Sequence, residues 1–286
     1  MRLITFKHNE KEQFGVRNDD RVIPVARLSP ALGRDIVSLL RDDQLDELAT
    51  EVQEFDGDGI PLDEIHYLPL LPRPRKIVCI GRNYAAHAAE GGADTPSYPE
   101  IFMRGATTLV AHQAPIIRPQ CSDKLDFEGE FAFVVGKSCR HATLDNSLEH
   151  IAGYTLFNDA TIRDYQRFST QWTIGKNFDG TGAFGPELVT RDELPDALQG
   201  LTLVTRLNGQ EMQNGRIDDL VFPVRQLVVM LSECMTLEPG DVVVTGTPSG
   251  VGFARKPPIW MKAGDEVEVE VAGLGLLKNY VQDEED

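Results

Sequence analysis

The chain has 286 residues, 41% of them hydrophobic, which is enough to bury one large core or a large core and a small one. Its 45 acidic and 28 basic residues give a net charge of −17, which argues against a nucleic-acid partner because no excess positive field exists to neutralise phosphates. No apolar run approaches the roughly 20 residues that span a bilayer, and residues 1–8 lack the apolar centre of a secretory signal. A cytoplasmic protein without a membrane partner is therefore expected.

The first seventy residues are predicted to form a small β-rich domain. Residues 1–8 and 13–25 alternate apolar and polar side chains as strands do, and residues 36–54 follow a helical period. Closely spaced prolines at positions 69, 72 and 74 indicate an extended connector. We therefore place a boundary near residue 70, a second domain at 73–280 and an acidic, solvated tail at 281–286.

A strand-like run at residues 126–136 has carboxylates at one end and apolar side chains along the rest. Because side chains alternate along a strand, Asp126, Glu128 and Glu130 are predicted to share a face. Crowded carboxylates repel one another unless a cation offsets their charge, and oxygen ligands favour Mg²⁺, Mn²⁺ or Ca²⁺. A divalent metal site is one interpretation of this run, and a solvated strand end is the other.

His87 and Glu90 follow a short buried strand, in an alanine-rich stretch that can form one or two helical turns. At positions i and i+3 they lie on one face, where a carboxylate orients an imidazole and raises its basicity. The pair is therefore a candidate general base, or else an ordinary surface pair. The Gly91-Gly92 pair that follows provides a hinge, so this helix is a candidate lid.

Two further polar groups follow apolar runs. Asp159 ends the run 151–159, where it is a candidate metal ligand or a helix N-cap. Lys176 lies in the glycine-rich loop 171–182, either as an ion-pair partner of the carboxylates or as an electrophile that stabilises an enolate. Residues 143–151 and 220–235 are predicted helices, and most of the remaining chain is predicted as strands.

Together, these motifs resemble the fumarylacetoacetate hydrolase family over about residues 73–280. In chain order they are Gly81-Arg82-Asn83-Tyr84 with His87 and Glu90, Asp126-Phe127-Glu128-Gly129-Glu130, Asn158-Asp159 with Arg163, Asp164 and Gln166, Trp172-Thr173 with Gly175-Lys176 and Phe178-Asp179, and Gly246-Thr247-Pro248 with Gly250-Val251-Gly252. The order of the motifs makes the resemblance more specific than any one of them.

The resemblance implies a mainly β (α+β) fold, a mixed β-sandwich roll with a small N-terminal domain, and a homodimer. It implies a site with three sets of residues: Glu128, Glu130 and Asp159 as ligands of Mg²⁺ or Mn²⁺, with Ca²⁺ as a further possibility; His87, Glu90 and Lys176 as catalytic residues; and Arg82, Tyr84, Arg163, Gln166 and Thr247 as substrate contacts. Arg104 departs from the lysine that many relatives carry at that position, which bears on how the far end of the substrate is recognised.

The implied function is a metal-dependent hydrolase that cleaves the C–C bond of an acylpyruvate-type 2,4-dioxo acid through a metal-stabilised enolate, in the catabolism of aromatic compounds. The first alternative is a decarboxylase or isomerase of a 2-oxo or 2-hydroxy-dienoate diacid, which uses the same enolate without a water. A second alternative is a relative that binds a metal or ligand but has lost activity.

Overall fold

The computed structural model describes residues 1–195 and 198–285, and within these ranges the chain is mainly β, as predicted. The strands are β1 (Arg2–His8), β2 (Lys11–Asn18), β3 (Arg21–Pro24), β4 (Ile60–Pro61), β5 (His66–Tyr67), β6 (Ile77–Gly81), β7 (Glu100–Arg104), β8 (Leu109–Val110), β9 (Pro115–Arg118), β10 (Leu125–Asp126), β11 (Gly129–Val135), β12 (Ile151–Asp159), β13 (Thr161–Ile162), β14 (Gly182–Thr190), β15 (Thr202–Leu207), β16 (Gln210–Arg216), β17 (Val242–Val244), β18 (Glu266–Val271) and β19 (Gly275–Asp283).

The α-helices are short and lie between the strands. They are α1 (Val25–Leu28), α2 (Ile36–Arg41), α3 (Leu45–Glu54), α4 (Ala85–Glu90), α5 (Arg163–Gln166), α6 (Thr173–Lys176) and α7 (Val224–Cys234). The helical period at 36–54 thus corresponds to two helices, which separate where Asp43 takes a left-handed conformation with φ 55°. The helix predicted at 143–151 is wrong, because only a 3₁₀ turn forms at Ser147–His150 before β12 begins.

Two sheets carry most of the strands. The larger has the order β4-β3-β2-β1-β14-β12-β11-β17-β6-β7, with β5 paired to β1 and β8 paired to β14. The smaller has the order β16-β15-β18-β19-β9, and β10 pairs with β13. Strand β11 is buried on both faces: Phe131 and Phe133 join one core cluster, and Ala132 and Val134 join another.

The N-terminal strands continue the larger sheet. Strand β1 pairs antiparallel with β14, and Leu3 lies opposite Leu188 in the same buried cluster. Because one sheet can run through two domains, this pairing does not decide where the chain divides, and the boundary near residue 70 stays a prediction. Strand β19 extends to Asp283, so the first three residues of the predicted tail pair with β9.

Candidate active site

The acidic residues meet where β11 begins and β12 ends, and these are two central strands of the larger sheet. Strands β11 and β12 pair with Glu130 opposite Phe157, and the Asp159 amide donates to the Glu128 carbonyl at 2.8 Å. Glu128, Glu130 and Asp159 are almost fully buried, and one carboxylate oxygen of each lies within 4.8 Å of the others. The pairing of two strands therefore converts distant sequence positions into one cluster, which we call the acidic triad.

Asp126 does not join the triad, contrary to the prediction that it shares a face with Glu128 and Glu130. The strand is interrupted between β10 and β11, and the Asp126 carboxylate accepts hydrogen bonds from the Gly252 and Phe253 amides at 2.8 and 3.0 Å. Arg163 Nε also donates to it at 2.8 Å. Asp126 therefore anchors the glycine-rich loop, and its charge is met by Arg163.

Basic side chains surround two of the triad carboxylates. Lys176 Nζ lies 2.5 Å from both Glu128 Oε2 and Asp159 Oδ2, and Arg163 Nη2 lies 2.6 Å from Glu128 Oε1. Burial alone would raise the pKa of Glu128, but Arg163 and Lys176 outweigh it and hold that pKa well below its usual range. Burial would likewise lower the pKa of Lys176, but Asp159 and Glu128 raise it instead, so the lysine stays charged.

Glu130 is the triad member without a basic partner among the described residues. Its Oε2 accepts from the Gly246 amide at 2.5 Å, which is a neutral donor. Burial, then the neighbouring charges of Asp159 and Glu128, raise the pKa of Glu130 well above its usual range. A buried carboxylate that is left without a cation beside two others fits a hard divalent metal ion, whose preferred ligands are carboxylate oxygens. The assignment of these three residues as ligands stays a prediction.

The His87–Glu90 pair lies on α4, and His87 lines a cavity together with the acidic triad. His87 Nδ1 and Glu90 Oε1 are 2.8 Å apart, and Glu90 Oε2 accepts from the Gly250 amide at 2.9 Å. Glu90 thus ties the imidazole to the loop that follows β17. The carboxylate can orient the imidazole as a general base requires.

One cavity of about 390 Å³ joins these groups. It is lined by Ile80, Gly81, Arg82, His87, Ala88, Gly91, Phe102, Glu128, Glu130, Asp159, Arg163, Gln166, Arg167, Trp172, Lys176, Thr247 and Phe253. Of the predicted site residues, Tyr84 and Glu90 are not part of this lining. Tyr84 is buried and forms an isolated bridge with Leu220, and its pKa is raised, chiefly by burial. Tyr84 does not line the cavity, and its role as a substrate contact stays a prediction.

The predicted substrate contacts hold different positions in the lining. Arg82 adopts φ 53°, pairs with Glu100 at 3.1 Å and stacks over Trp172. Gln166 accepts from Arg163 at 3.1 Å. Thr247 is buried, and its hydroxyl donates to the Gly129 carbonyl at 2.8 Å. The Thr247 hydroxyl therefore already serves the backbone of β11.

Sequence reasoning missed Arg167 and Phe253, which line the cavity, and the contact that Arg104 makes beside it. Arg167 lies over the Phe253 ring at 4.8 Å, on the same ring that Arg163 approaches at 4.5 Å. Arg104, considered only for the far end of the substrate, instead lies buried against Asp159. A charged residue directly after the apolar run 101–103 was the signal available for Arg104.

Comparison with known proteins places this geometry in a family. The fumarylacetoacetate (FAA) hydrolase C-terminal model matches residues 76–282. The chain belongs to the fumarylacetoacetate hydrolase family. The match covers nearly the whole region in which the motifs were found, and it makes the chain an enzyme of this family.

Relatives in the family carry several activities. Oxaloacetate tautomerase FAHD2A of Bos taurus is 36% identical over 98% of this chain and 91% of its own. The 5-carboxymethyl-2-hydroxymuconate delta-isomerase of Mycobacterium smegmatis is 32% identical, with a TM-score of 0.78 over all of both chains. Maleylpyruvate hydrolase of Sphingobium sp. SYK-6, solved with manganese(II) and pyruvate, is 25% identical, with a TM-score of 0.83 over all of both chains.

These structural matches confirm the predicted fold of the family. Within residues 1–195 and 198–285, no helix is long and apolar enough to span a bilayer. The relatives' names include a tautomerase, an isomerase and a hydrolase, so membership does not choose between the reactions considered above.

Proposed function

We propose that this enzyme is of the isomerase type and moves a proton at the carbon beside the 2-oxo group of a dicarboxylic 2-oxo acid. The observation that carries the proposal is the charge pattern of the cavity. The acidic triad lies within it, and Arg82 and Arg167 also line it. Arg167 is exposed and has no acidic partner among the described residues, so it is available to bind a second carboxylate.

The triad supplies the first anchor. Glu128, Glu130 and Asp159 would hold Mg²⁺ or Mn²⁺, and when bound this ion would polarise the 2-oxo group and stabilise charge on its oxygen. The hydrolase solved with manganese and pyruvate supports this choice of metal and of substrate class. The cavity is large enough for a small diacid, and Phe102, Trp172 and Phe253 give it apolar walls.

His87 is the base that the proposal needs. With Nδ1 held by Glu90, Nε2 takes a proton from the carbon beside the 2-oxo group and delivers it to the 2-oxo oxygen, so that a C–H bond breaks and the O–H bond of the enol forms; the reverse transfer gives the keto acid. The Lys176 ammonium, held between Glu128 and Asp159, donates toward the developing enolate oxygen. The names of the tautomerase and isomerase relatives support this reaction class.

Hydrolysis of an acylpyruvate is the second candidate, because the same dyad can activate a water. His87 would take a proton from water, hydroxide would attack the distal carbonyl, and the C–C bond would break to give a carboxylic acid and the enolate of pyruvate. The maleylpyruvate hydrolase among the structural matches favours keeping this candidate. Decarboxylation needs neither the water nor the base, and it would survive in part without His87.

A substrate panel tests the proposal. Enolic oxaloacetate, a hydroxymuconate-type diacid and acetylpyruvate are assayed with Mg²⁺ and with Mn²⁺, using wild type, His87→Gln and Arg167→Met. We expect tautomerisation of the diacids to fall about 10²- to 10⁴-fold in His87→Gln. Arg167→Met should raise KM for diacids about tenfold or more while leaving that for acetylpyruvate unchanged. Cleavage of acetylpyruvate without turnover of either diacid would instead establish the hydrolase.

A further inference from the structure

Arg104 ends β7, and its side chain is fully buried beside the acidic triad. Its guanidinium meets four acceptors. Nη1 donates to Asp159 Oδ1 and, at 3.3 Å, to the Ala160 carbonyl. Nη2 donates to the Thr181 hydroxyl at 2.7 Å, and Nε donates to the Thr108 hydroxyl at 3.3 Å. A planar group with this many fixed partners has one orientation.

The surroundings form a slot for this group. A Cβ at Gly182 would lie 3.1 Å from both Nε and Nη2 of Arg104, so a larger residue there would press on the guanidinium. The Phe157 ring lies beneath, 5.7 Å from the guanidinium carbon. Arg104 is therefore held by backbone, hydroxyl and aromatic groups that do not belong to the triad.

The two oxygens of Asp159 have different kinds of partner. Oδ1 accepts a hydrogen bond from the rigid, planar guanidinium of Arg104. Oδ2 accepts one from the ammonium group of Lys176, which ends a flexible side chain. Lys176 Nζ is also 2.5 Å from Glu128 Oε2, so Oδ2 of Asp159 and Oε2 of Glu128 converge on one point. Oδ2 is thus the Asp159 oxygen that lies towards the Glu128 carboxylate of the triad.

We propose that Arg104 is a positioning residue of the metal centre: by holding Oδ1, it presents Asp159 to the cation through Oδ2 alone. Groups that hold a ligand from behind fix its orientation, and their loss commonly lowers metal affinity about 10- to 100-fold. The proposal rests on the metal site of the proposed function, and it adds a residue that fixes how many oxygens Asp159 offers.

The test is calorimetric titration of metal-free protein with Mn²⁺. We expect the Kd of Arg104→Met to rise about 10- to 100-fold, because Asp159 loses its fixed orientation. Arg104→Lys keeps the charge but replaces three donor nitrogens by one, and its Kd should fall between those of Arg104→Met and wild type. Thr181→Val removes one acceptor of the guanidinium with little change in shape, and it should raise Kd by a smaller factor.

Lys76→Met is the matched control. Lys76 pairs with the buried Asp241 at 2.7 Å, so its loss also leaves a buried carboxylate without its cation, but Lys76 precedes β6 at the end opposite the cavity. We expect an unchanged Kd for Mn²⁺ in this variant. Circular dichroism melting shows whether each variant is folded. If Arg104→Met does not fold, the proposal is tested by Arg104→Lys and Thr181→Val, whose Kd for Mn²⁺ should both exceed that of wild type.

The outcomes separate the two proposals. If wild type does not bind Mn²⁺, the metal site of the proposed function fails. If wild type binds and the folded Arg104 variants bind within threefold of it, the metal site stands and the role of Arg104 is overturned. An equal loss of affinity in Lys76→Met would also overturn it, because the effect would then follow from any lost buried ion pair.

Discussion

At the scale of single residues, the buried carboxylates of the site differ in whether basic groups balance their charge. Glu128 and Asp159 each contact two basic groups, while Glu130 contacts none among residues 1–195 and 198–285. Burying an unpaired carboxylate costs several kcal/mol, so the arrangement favours a further cation beside Glu130. The neighbouring Asp126 is equally buried, yet it is satisfied by Arg163 and three backbone amides.

This contrast gives the first prediction. Glu128→Gln keeps the shape of the side chain but removes a ligand charge, so we expect the Kd for Mn²⁺ to rise more than about 100-fold and activity to disappear with it. Asp126→Asn is the control, because it removes an equally buried charge outside the triad and should lower stability while leaving metal stoichiometry intact. Wild-type Mn²⁺ affinity in Glu128→Gln by calorimetry would remove it from the ligand set.

How well residues could be assigned depended on whether their partners were local. His87 and Glu90 are three positions apart, so their contact follows from helical geometry. The E-x-E spacing suggested a metal, but it also suggested Asp126, because nothing local shows that the strand breaks after it. The contact of Arg104 with Asp159 spans 55 positions and follows only from the sheet order β12-β11-β17-β6-β7. No local pattern could have predicted that contact.

At the scale of elements, α4 and the loop after β17 work as one unit. The connection is the Glu90 carboxylate, which accepts from the Gly250 amide. Gly250 has φ +107°, and a Cβ there would lie 2.2 Å from the Met212 carbonyl oxygen. The loop therefore needs glycine at this position to bring its amide to the helix.

The second prediction follows from this contact. Gly250→Ala should displace the loop, separate the amide from Glu90 and lower kcat about 10- to 100-fold, because the dyad loses part of its orientation. Gly264→Ala is the matched control, since Gly264 also has positive φ but has open space where the Cβ would lie. It should lose stability without losing kcat. Equal kcat in the two variants, measured on the substrate that wild type turns over, would show that the contact does not orient His87.

Elements were predicted best where burial leaves a simple pattern. The amphipathic period at 220–235 corresponds to α7, with Leu227, Val228 and Leu231 buried. The predicted helix at 143–151 failed because its last residue begins β12, which is buried between β11 and β14. Tertiary pairing outweighs local propensity at such a junction.

At the scale of the whole molecule, His112 joins the two sheets. It follows β8, its Nδ1 accepts from the Lys278 amide of β19 at 3.1 Å, and its ring contacts Tyr67 of β5 edge-on. Burial, then the charges of Arg17 and Lys278, lower the pKa of His112 to about 4. An acceptor nitrogen held by a backbone amide cannot be protonated without losing that bond.

The third prediction is a pH dependence of stability. The unfolded chain binds a proton at His112 near pH 6.5 and the folded chain only near pH 4, so stability is fully present above about pH 6.5 and is lost as the pH falls toward 4. The contribution is at most about 3 kcal/mol. Urea unfolding of wild type, His112→Gln and the exposed control His141→Gln across this range measures it. Parallel curves for wild type and His112→Gln would contradict the prediction.

The fourth prediction concerns assembly, where we propose a homodimer. Strand β7 is the edge of the larger sheet, and it exposes Ile101 and Met103 by 39% and 38%. An edge strand can pair antiparallel with its own copy about a two-fold axis. Light scattering should give twice the chain mass for wild type and the monomer mass for Ile101→Glu. Leu144→Glu alters a more exposed apolar residue elsewhere and should remain dimeric; a monomeric wild type would contradict the proposal.

The overall fold class was accessible from strand periodicity, but the sheet order was not. Strand β1 pairs with β14 across more than 180 positions, and periodicity says which face of a strand is buried without saying which strand lies beside it. The fold could still be predicted without the sheet order, because the order of the family motifs along the chain implies the fold of the family.

The central position of β11 and β12 has a consequence for how the enzyme fails on heating. Both strands are flanked on each side and fully buried, so their amide hydrogens should exchange with solvent only when the whole molecule unfolds. Helix α4 has six residues, of which only Ala88 is buried, and it should open locally at much lower free energy. Warming therefore displaces His87 and Glu90 before it separates the strands that carry the acidic triad, and the protein passes through a state in which the triad is intact but the His87–Glu90 pair is not.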